Sequence, residues 1–208
     1  HQDSEGGDRI AYGLPYNQDN VIEALAAANP NLAVCIISGN AVAMPWVAQV
    51  PAIVECWYCG SQAGNSIADV VFGKVNPSGK LPFTFPVKIE DSPAHALDAY
   101  TCGPDVKYKE SIYVGYRWFD TKEIKPLFAF GHGLSYTEFE YSDFKASSSV
   151  SASGTLKASV KVKNIGSREG KEVVQLYIGE QSPVLDRPAK ELKAFEKVSL
   201  APGETKTF

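Results

Sequence analysis

The sequence has few of the residues that usually mark metal or redox chemistry. Its 208 residues include four cysteines, three histidines and one methionine. The histidines stand far apart, at positions 1, 95 and 132, and the chain contains no His-Glu-x-x-His motif and no second Cys-x-x-Cys pair. A Walker A lysine motif and a Gly-x-Ser-x-Gly nucleophile elbow are also missing. These absences argue against zinc-protease, P-loop and serine-hydrolase chemistry.

An excess of basic residues and a long apolar run are missing as well. Lys and Arg number 20 against 24 Asp and Glu, for a net charge of −4. Such a chain has no general attraction for nucleic acid or for an anionic membrane surface, so we expect neither as a partner. The most apolar stretch, residues 41–59, is interrupted by two prolines, a glutamine and a glutamate, which does not fit a membrane-spanning helix.

What remains is an ordinary globular composition with a generous aromatic content. Hydrophobic residues make up 44% and aromatic residues 11% of the chain, enough for the cores of two compact domains. The chain lacks an initiator methionine and stops within a strand-like stretch at Phe208. We therefore expect it to be a fragment of a longer protein.

The first part of the chain alternates helix-like and strand-like segments. A helix is predicted after Leu14-Pro15, with Asn17 or Asp19 as its cap and an apolar face formed by residues 21, 22, 25 and 28. Continuous apolar runs over 32–37 and 52–57 predict parallel strands buried on both faces. A second helix is predicted over 61–72, closed by Gly73. This order predicts an α/β layered domain.

The later part of the chain changes its periodicity. The segment from about residue 88 to 133 has no clear period and is predicted to be a mostly irregular connector. From Phe139 onward, apolar and polar residues alternate, with strands predicted over 156–162, 172–178 and 205–208. Turns are predicted at 164–167 and at Pro202-Gly203. This pattern predicts an antiparallel β-sandwich that begins near Tyr136.

The Cys56-Trp-Tyr-Cys59 segment has the spacing of a redox motif. It would supply a dithiol or half of a metal site if a second pair of ligands were present, but the sequence offers none. We therefore favour a structural role for both cysteines. For Trp46, Trp57 and Trp118 we likewise favour packing over a role as platforms that stack on sugar rings.

A glycine-rich segment near the start, Ser4-Glu5-Gly6-Gly7-Asp8-Arg9, combines two carboxylates with a guanidinium. Glycines allow the backbone to take conformations that other residues avoid, so a carboxyl group here could reach out and act as a general acid. The alternative is a surface loop in which Asp8 and Arg9 pair. The spacing alone leaves both interpretations open.

Several longer segments, which follow one another in a fixed order, are more informative about function than the spacing of residues within SEGGDR. They are SEGGDR at 4–9, SGNAVAMPW at 38–46, AGNSIADVVFGKVNPSGKLPFTFP at 63–86, YVGYRWFD at 113–120, FAFGHGLSYTEFEYS at 128–142 and RPAKELKAFEKVSLAPGE at 187–204. In these segments the chain resembles the C-terminal part of a glycoside hydrolase of family three, the β-glucosidase and β-xylosidase group. The likeness runs nearly from end to end.

The resemblance implies a three-part parent enzyme, in which an N-terminal barrel carries a nucleophilic Asp. This chain would hold residues 1–87 as part of an α/β/α sandwich, 88–136 as a connector and 137–208 as a fibronectin type III-like sandwich. Glu5 matches the acid/base of the family, while Asp8 and Arg9 would hold its loop. Gly7 stands where an aromatic residue is common, which leaves the choice of sugar open.

The implied activity is that of a retaining exo-acting β-glycosidase, first of all a β-glucosidase, which acts on β-linked glucosides without a cofactor or metal. Its other partner would be the barrel of the same enzyme, and the family habit implies secretion or a periplasmic location. Two alternatives remain at this point. One is a β-xylosidase, and the other is a non-catalytic carbohydrate-binding or adhesion module.

Overall fold

The computed structural model describes residues 9, 11–100, 104–151 and 153–208. The helices in this part of the chain are α1 (Gln18–Ala28), α2 (Ala63–Val71), α3 (Pro93–Ala96) and α4 (Tyr116–Thr121). The strands are β1 (Ala33–Ile36), β2 (Ala52–Glu55), β3 (Phe139–Ala146), β4 (Ala158–Asn164), β5 (Gly170–Ile178), β6 (Glu191–Leu200) and β7 (Thr205–Thr207). Helices thus dominate the first part and strands the second, as the periodicity predicted.

The first region contains the predicted parallel strand pair. Ala33 of β1 lies opposite Ala52 of β2, and the pairing continues to Ile36 opposite Glu55. A parallel pair needs a crossover connection, and here residues 37–51 supply it, with a 3₁₀ turn at Val47–Gln49. Both strands and their parallel direction are therefore confirmed.

The burial of this pair differs from the prediction. Val34, Ile36 and Ile53 face a core that also contains Trp46, whereas Ala33 and Cys35 on the opposite face are exposed. Since side chains alternate along a strand, a continuous apolar run says nothing about which face is covered. The expectation that β1 is buried on both faces is therefore wrong, because the described residues pack against one face only.

The two longer helices also depart from the prediction in detail. On α1, Ile22 and Ala26 pack against the core, but Val21 and Leu25 are exposed by 55% and 50%. The helix is therefore rotated about its own axis, so that the side that packs on the core differs from the side predicted from apolar spacing. The closure of α2 is confirmed, since Gly73 has a φ of 72° and donates its N–H to Val70 O.

The second region is an antiparallel sandwich with its own core. One sheet has the order β3-β4-β7 and the other pairs β5 with β6. Val162 of β4 and Leu200 of β6 are fully buried and come from different sheets, which places the core between the two layers. The predicted sandwich is confirmed, including its turn at Gly203, whose φ is 77°.

By contacts the chain forms two compact units that interleave along the sequence. The first contains residues up to Ile67, Leu81–His132 and Gly179–Glu191, and the second contains Ala68–Lys80, Gly133–Ile178 and Leu192–Phe208. The domain limits 1–87, 88–136 and 137–208 stay predictions. Among the described residues, no helix has the length and apolar character needed to cross a membrane.

Candidate active site

Polar side chains collect where β1 and β2 end. Ser38, two residues after β1, is 4% exposed, and its hydroxyl donates to Asn40 O at 2.8 Å. Glu55 is the last residue of β2, and its two carboxylate oxygens lie 3.4 and 3.5 Å from Ser38 Oγ. In open α/β sheets, ligands bind outside the carboxyl ends of the strands. We therefore consider this edge the candidate functional site of the first unit.

The backbone after β2 takes an unusual conformation at the same edge. Trp57 has a φ of 50°, a region that bulky side chains rarely adopt. Its N–H donates to Glu55 Oε1 at 3.0 Å, and its ring packs edge-on against Phe83, with ring centroids 5.4 Å apart. Left-handed residues of this kind cluster at active sites and ligand clamps, where the surroundings hold them in place.

Arg9 connects the glycine-rich segment to this edge. Its Nη2 group donates both to Asn40 Oδ1 and to Ala41 O, on the loop that follows β1. The guanidinium also lies 6.0 Å from the centre of the Tyr12 ring, within the range of a cation–π contact. The C-terminal end of the segment is thus attached at the carboxyl edge of the sheet.

Tyr12 secures the chain just after Arg9. Its hydroxyl donates to Pro86 O at 2.8 Å, and its backbone carbonyl accepts from Ala43 N at 3.0 Å. Burial raises the pKa of Tyr12 well above its usual range, although the positive charge of Arg9 acts in the opposite direction. Tyr12 is therefore a neutral anchor and not an acid at ordinary pH.

The predicted acid/base Glu5 and its neighbour Asp8 lie outside the described residues, so their positions stay predictions. Sequence reasoning did not single out Ser38 and Glu55. A signal was present, because Ser38 directly follows the apolar run over 32–37 and Glu55 is the only charged residue in the run over 52–57, and polar residues where parallel strands end lie at one edge of the sheet.

The described cysteines do not have the properties of a redox dithiol. Burial raises the pKa of Cys56 to about 11, with Cys35 and Cys59 close enough to add to the effect. Cys59 Sγ donates to Cys56 O at 2.7 Å. Reactive Cys-x-x-Cys motifs instead have a lowered thiol pKa. The structural role that we favoured for this segment agrees with these contacts, and the described residues contain no His, Cys, Asp and Glu cluster suited to a metal ion.

Two of the three tryptophans are packing residues, as predicted. Trp46 is fully buried and its Nε1–H donates to Asp19 Oδ1 at 2.7 Å. Trp118 is 7% exposed and donates to Asp91 O at 3.1 Å. Trp57 is half-buried and packs on Phe83 and Phe85.

Two family models match the two parts of this chain. The sequence model described as "Glycosyl hydrolase family 3 C-terminal domain" matches residues 1–136, and the one described as "Fibronectin type III-like domain" matches residues 172–208. The β-glucosidase BoGH3A of Bacteroides ovatus is 54% identical over 209 residues, which cover 99% of this chain and 28% of that protein. The thermostable β-glucosidase B of Acetivibrio thermocellus is 50% identical over 206 residues, covering 99% of this chain and 27% of that protein.

A solved structure gives the same result for the fold. The β-glucosidase of Kluyveromyces marxianus, crystallised in complex with glucose, has a TM-score of 0.88 at 43% identity, over 98% of this chain and 24% of that one. The chain spans about a quarter of the length of these relatives. It belongs to glycosyl hydrolase family 3, and it combines the α/β C-terminal domain of that family with a fibronectin type III-like sandwich.

Proposed function

We propose that this chain is the acid/base-bearing portion of a retaining, exo-acting β-glucosidase. The observation that carries the proposal is the attachment of Arg9, at the end of the SEGGDR segment, to Asn40 and Ala41 at the carboxyl edge of the sheet. Only three residues separate Arg9 from Glu5, so the attachment restricts the region that the Glu5 carboxyl group can reach. The relatives named above are β-glucosidases, which favours a glucoside over a xyloside as substrate.

In the proposed mechanism, Glu5 works twice. It first donates a proton to the departing glycosidic oxygen while an Asp of the barrel attacks the anomeric carbon and forms a covalent glycosyl-enzyme. Glu5 then removes a proton from the water that hydrolyses this intermediate with retained configuration. Its switch from acid to base follows from the loss of the nucleophile's negative charge to the ester, which removes a repulsion that favours the protonated carboxyl group.

Arg9 has a positioning part in this scheme. Its Nη2 group donates to Asn40 Oδ1 and Ala41 O, and in this proposal Arg9 holds the loop. No metal or organic cofactor enters either step. We also propose a secreted or periplasmic location, which is supported only by what is usual in this family.

The first test concerns the chain by itself. One carboxyl group cannot serve as both nucleophile and acid/base, so the purified 208-residue chain should not hydrolyse aryl β-glucosides. The same chain within the full-length protein should do so. Turnover by the chain alone, free of any protein that carries a barrel, would contradict the proposed division of roles.

The second test is Glu5→Ala in the full-length protein. For an alkyl β-glucoside, kcat/KM should fall by about 10²- to 10⁴-fold, the usual contribution of general acid catalysis. For dinitrophenyl β-glucoside, kcat/KM should be nearly spared because its phenolate leaves without a proton. The covalent intermediate should then accumulate, and azide should restore turnover and yield the β-glucosyl azide.

The matched control is Asp8→Ala, which removes the neighbouring carboxylate of the same segment. It should lower activity on both substrates to a similar degree, with no azide rescue. If the leaving-group dependence and the rescue follow Asp8 instead, the acid/base is Asp8 and the assignment of Glu5 is wrong.

A further inference from the structure

We infer that Glu55 is a positioning residue for the acid/base segment, an inference that rests on the proposed role of Glu5. Glu55 stands at the carboxyl end of β2, and its carboxylate contacts the loops that follow both parallel strands. It does not act on the sugar in this proposal. It fixes the loop to which the segment of Glu5 is attached.

The first link runs from Glu55 to the loop after β1. The two carboxylate oxygens lie 3.4 and 3.5 Å from Ser38 Oγ, and the Ser38 hydroxyl is itself 2.8 Å from Asn40 O. Ser38 is buried, so its polar group depends on these protein partners and not on bulk water. The hydroxyl has one proton, which the nearer Asn40 carbonyl accepts, and the carboxylate lines the other side of the Ser38 oxygen.

The second link runs from that loop to the glycine-rich segment. Asn40 presents its backbone carbonyl to Ser38 and its side-chain Oδ1 to Arg9. Ala41 O accepts from the same guanidinium. Three polar contacts therefore join Glu55 to Arg9 through Ser38 and Asn40. A shift of Ser38 would displace both acceptors of Arg9.

The third link concerns the strained backbone at Trp57. The Trp57 N–H points to Glu55 Oε1 at 3.0 Å, and this bond holds the left-handed φ of 50°. Without an acceptor, a bulky aromatic residue would relax away from this region. The contacts of the indole ring with Phe83 and Phe85 would then change as well. One carboxylate thus controls the geometry of both loops at the edge.

A positioning role can be distinguished from a purely structural one by the leaving-group dependence of catalysis. If Glu55 only stabilises the fold, its loss lowers the melting temperature and reduces activity on all substrates alike. If it positions Glu5, its loss impairs proton donation, so substrates with poor leaving groups suffer most. A misplacement of about 1 Å at a catalytic group can cost on the order of 10²-fold in rate.

The experiment compares variants of the full-length protein on an alkyl β-glucoside and on dinitrophenyl β-glucoside. For Glu55→Ala we expect kcat/KM on the alkyl glucoside to fall by about 10- to 100-fold, and on dinitrophenyl glucoside by less than about threefold. Glu55→Gln keeps an oxygen that can accept from Trp57 N–H, and its amide group can donate to Ser38 Oγ. It should stay within about threefold of wild type on both substrates.

Two further variants complete the set. Ser38→Ala removes the hydroxyl between Glu55 and Asn40, and should lower kcat/KM on the alkyl glucoside selectively, by less than Glu55→Ala does. If Glu55→Ala does not fold, Ser38→Ala provides the test. Glu196→Ala, which removes an exposed carboxylate on β6, should change neither kinetics nor melting temperature.

The outcomes separate this inference from the proposed function. Equal losses on both substrates for Glu55→Ala, or a Glu55→Gln variant as impaired as Glu55→Ala, would overturn the positioning role. If Glu5→Ala shows the leaving-group dependence and the Glu55 and Ser38 variants do not, only the inference on Glu55 fails. If Glu5→Ala lacks that dependence, the proposed function itself fails.

Discussion

The two units of the chain each place a polar side chain at the end of a strand, but they use it differently. In the sandwich, Asn164 ends β4 with no exposed surface and four hydrogen bonds to its own unit. In the α/β unit, Glu55 ends β2, is only half-buried and contacts two loops. The Asn164 side chain makes all four of these bonds within the sandwich and stabilises the fold. The Glu55 side chain contacts two loops, and one of them binds Arg9 of the segment that contains the proposed acid/base.

The hydrogen bonds of Asn164 explain its burial. Its Oδ1 accepts from Thr137 Oγ1 at 2.7 Å and from Gly166 N at 3.1 Å. Its Nδ2 donates to Arg168 O at 2.8 Å and to Leu200 O at 2.9 Å. A buried amide is tolerated when its donors and acceptors find partners, and here the side chain joins a turn, a neighbouring strand and the start of the sandwich.

The largest effect on stability is therefore expected for Asn164→Leu. Apolar replacement leaves the groups that it bonded in the interior without partners, and each such group costs about 1–3 kcal/mol. We expect a loss of about 3 kcal/mol or more, measured by urea unfolding. Asn31→Leu, at an exposed position, should change the midpoint little. A small change for Asn164→Leu would show that water or a rearrangement replaces the network.

A smaller loss is expected for Asn76→Ala in the same unit. Asn76 Oδ1 accepts from Ser135 Oγ at 2.9 Å and Tyr136 N at 2.8 Å, and its Nδ2 donates to Glu169 O at 2.9 Å. Because this residue is only half-buried, water can replace part of these bonds, and we expect a loss of about 1–2 kcal/mol.

Limited proteolysis offers a local readout for this variant. The segment around Tyr136 should be cleaved faster in Asn76→Ala than in wild type, because it loses its side-chain acceptor. Unchanged cleavage together with unchanged stability would mean that the contacts of Asn76 are dispensable.

The smallest effect near neutral pH concerns Cys56 in the α/β unit, because it changes stability only at high pH. The pKa of Cys56 is raised from 9.0 to about 11 in the folded protein, mainly by burial, so folding favours the protonated thiol. This contribution to stability is fully present below pH 9 and is lost as the pH rises towards 11. Between these values, the stability of wild type should therefore fall more steeply than that of Cys56→Ala. Parallel pH curves for the two proteins would contradict the raised pKa.

Local patterns were sufficient to predict much of the fold. The apolar runs over 32–37 and 52–57 predicted β1 and β2, and alternation predicted β4 and β5. Periodicity could not show which face of β1 packs, because that depends on residues far away in the sequence. It also missed β6, whose charged residues and exposed Phe195 conceal its strand character.

The candidate site was less accessible to this kind of reasoning. Glu5 was singled out through the family resemblance, because a carboxylate on a glycine-rich loop is not distinctive by itself. Asn164 was taken for a turn residue, and its burial depends on Thr137 and Leu200, which are 27 and 36 residues away. The contact between Glu55 and Ser38 arises only when two strands pair in parallel.

The left-handed backbone of Trp57 has a consequence for directed evolution. At this position the backbone favours glycine or asparagine, whereas the ring contacts with Phe83 and Phe85 favour a large aromatic side chain. A library randomised at this codon and selected for heat resistance would weigh the relief of torsional strain against the lost ring contacts. The same library selected for glucoside hydrolysis adds a demand on loop shape. Comparison of the residues that the two selections return would therefore separate the requirement for stability at this position from the requirement for activity.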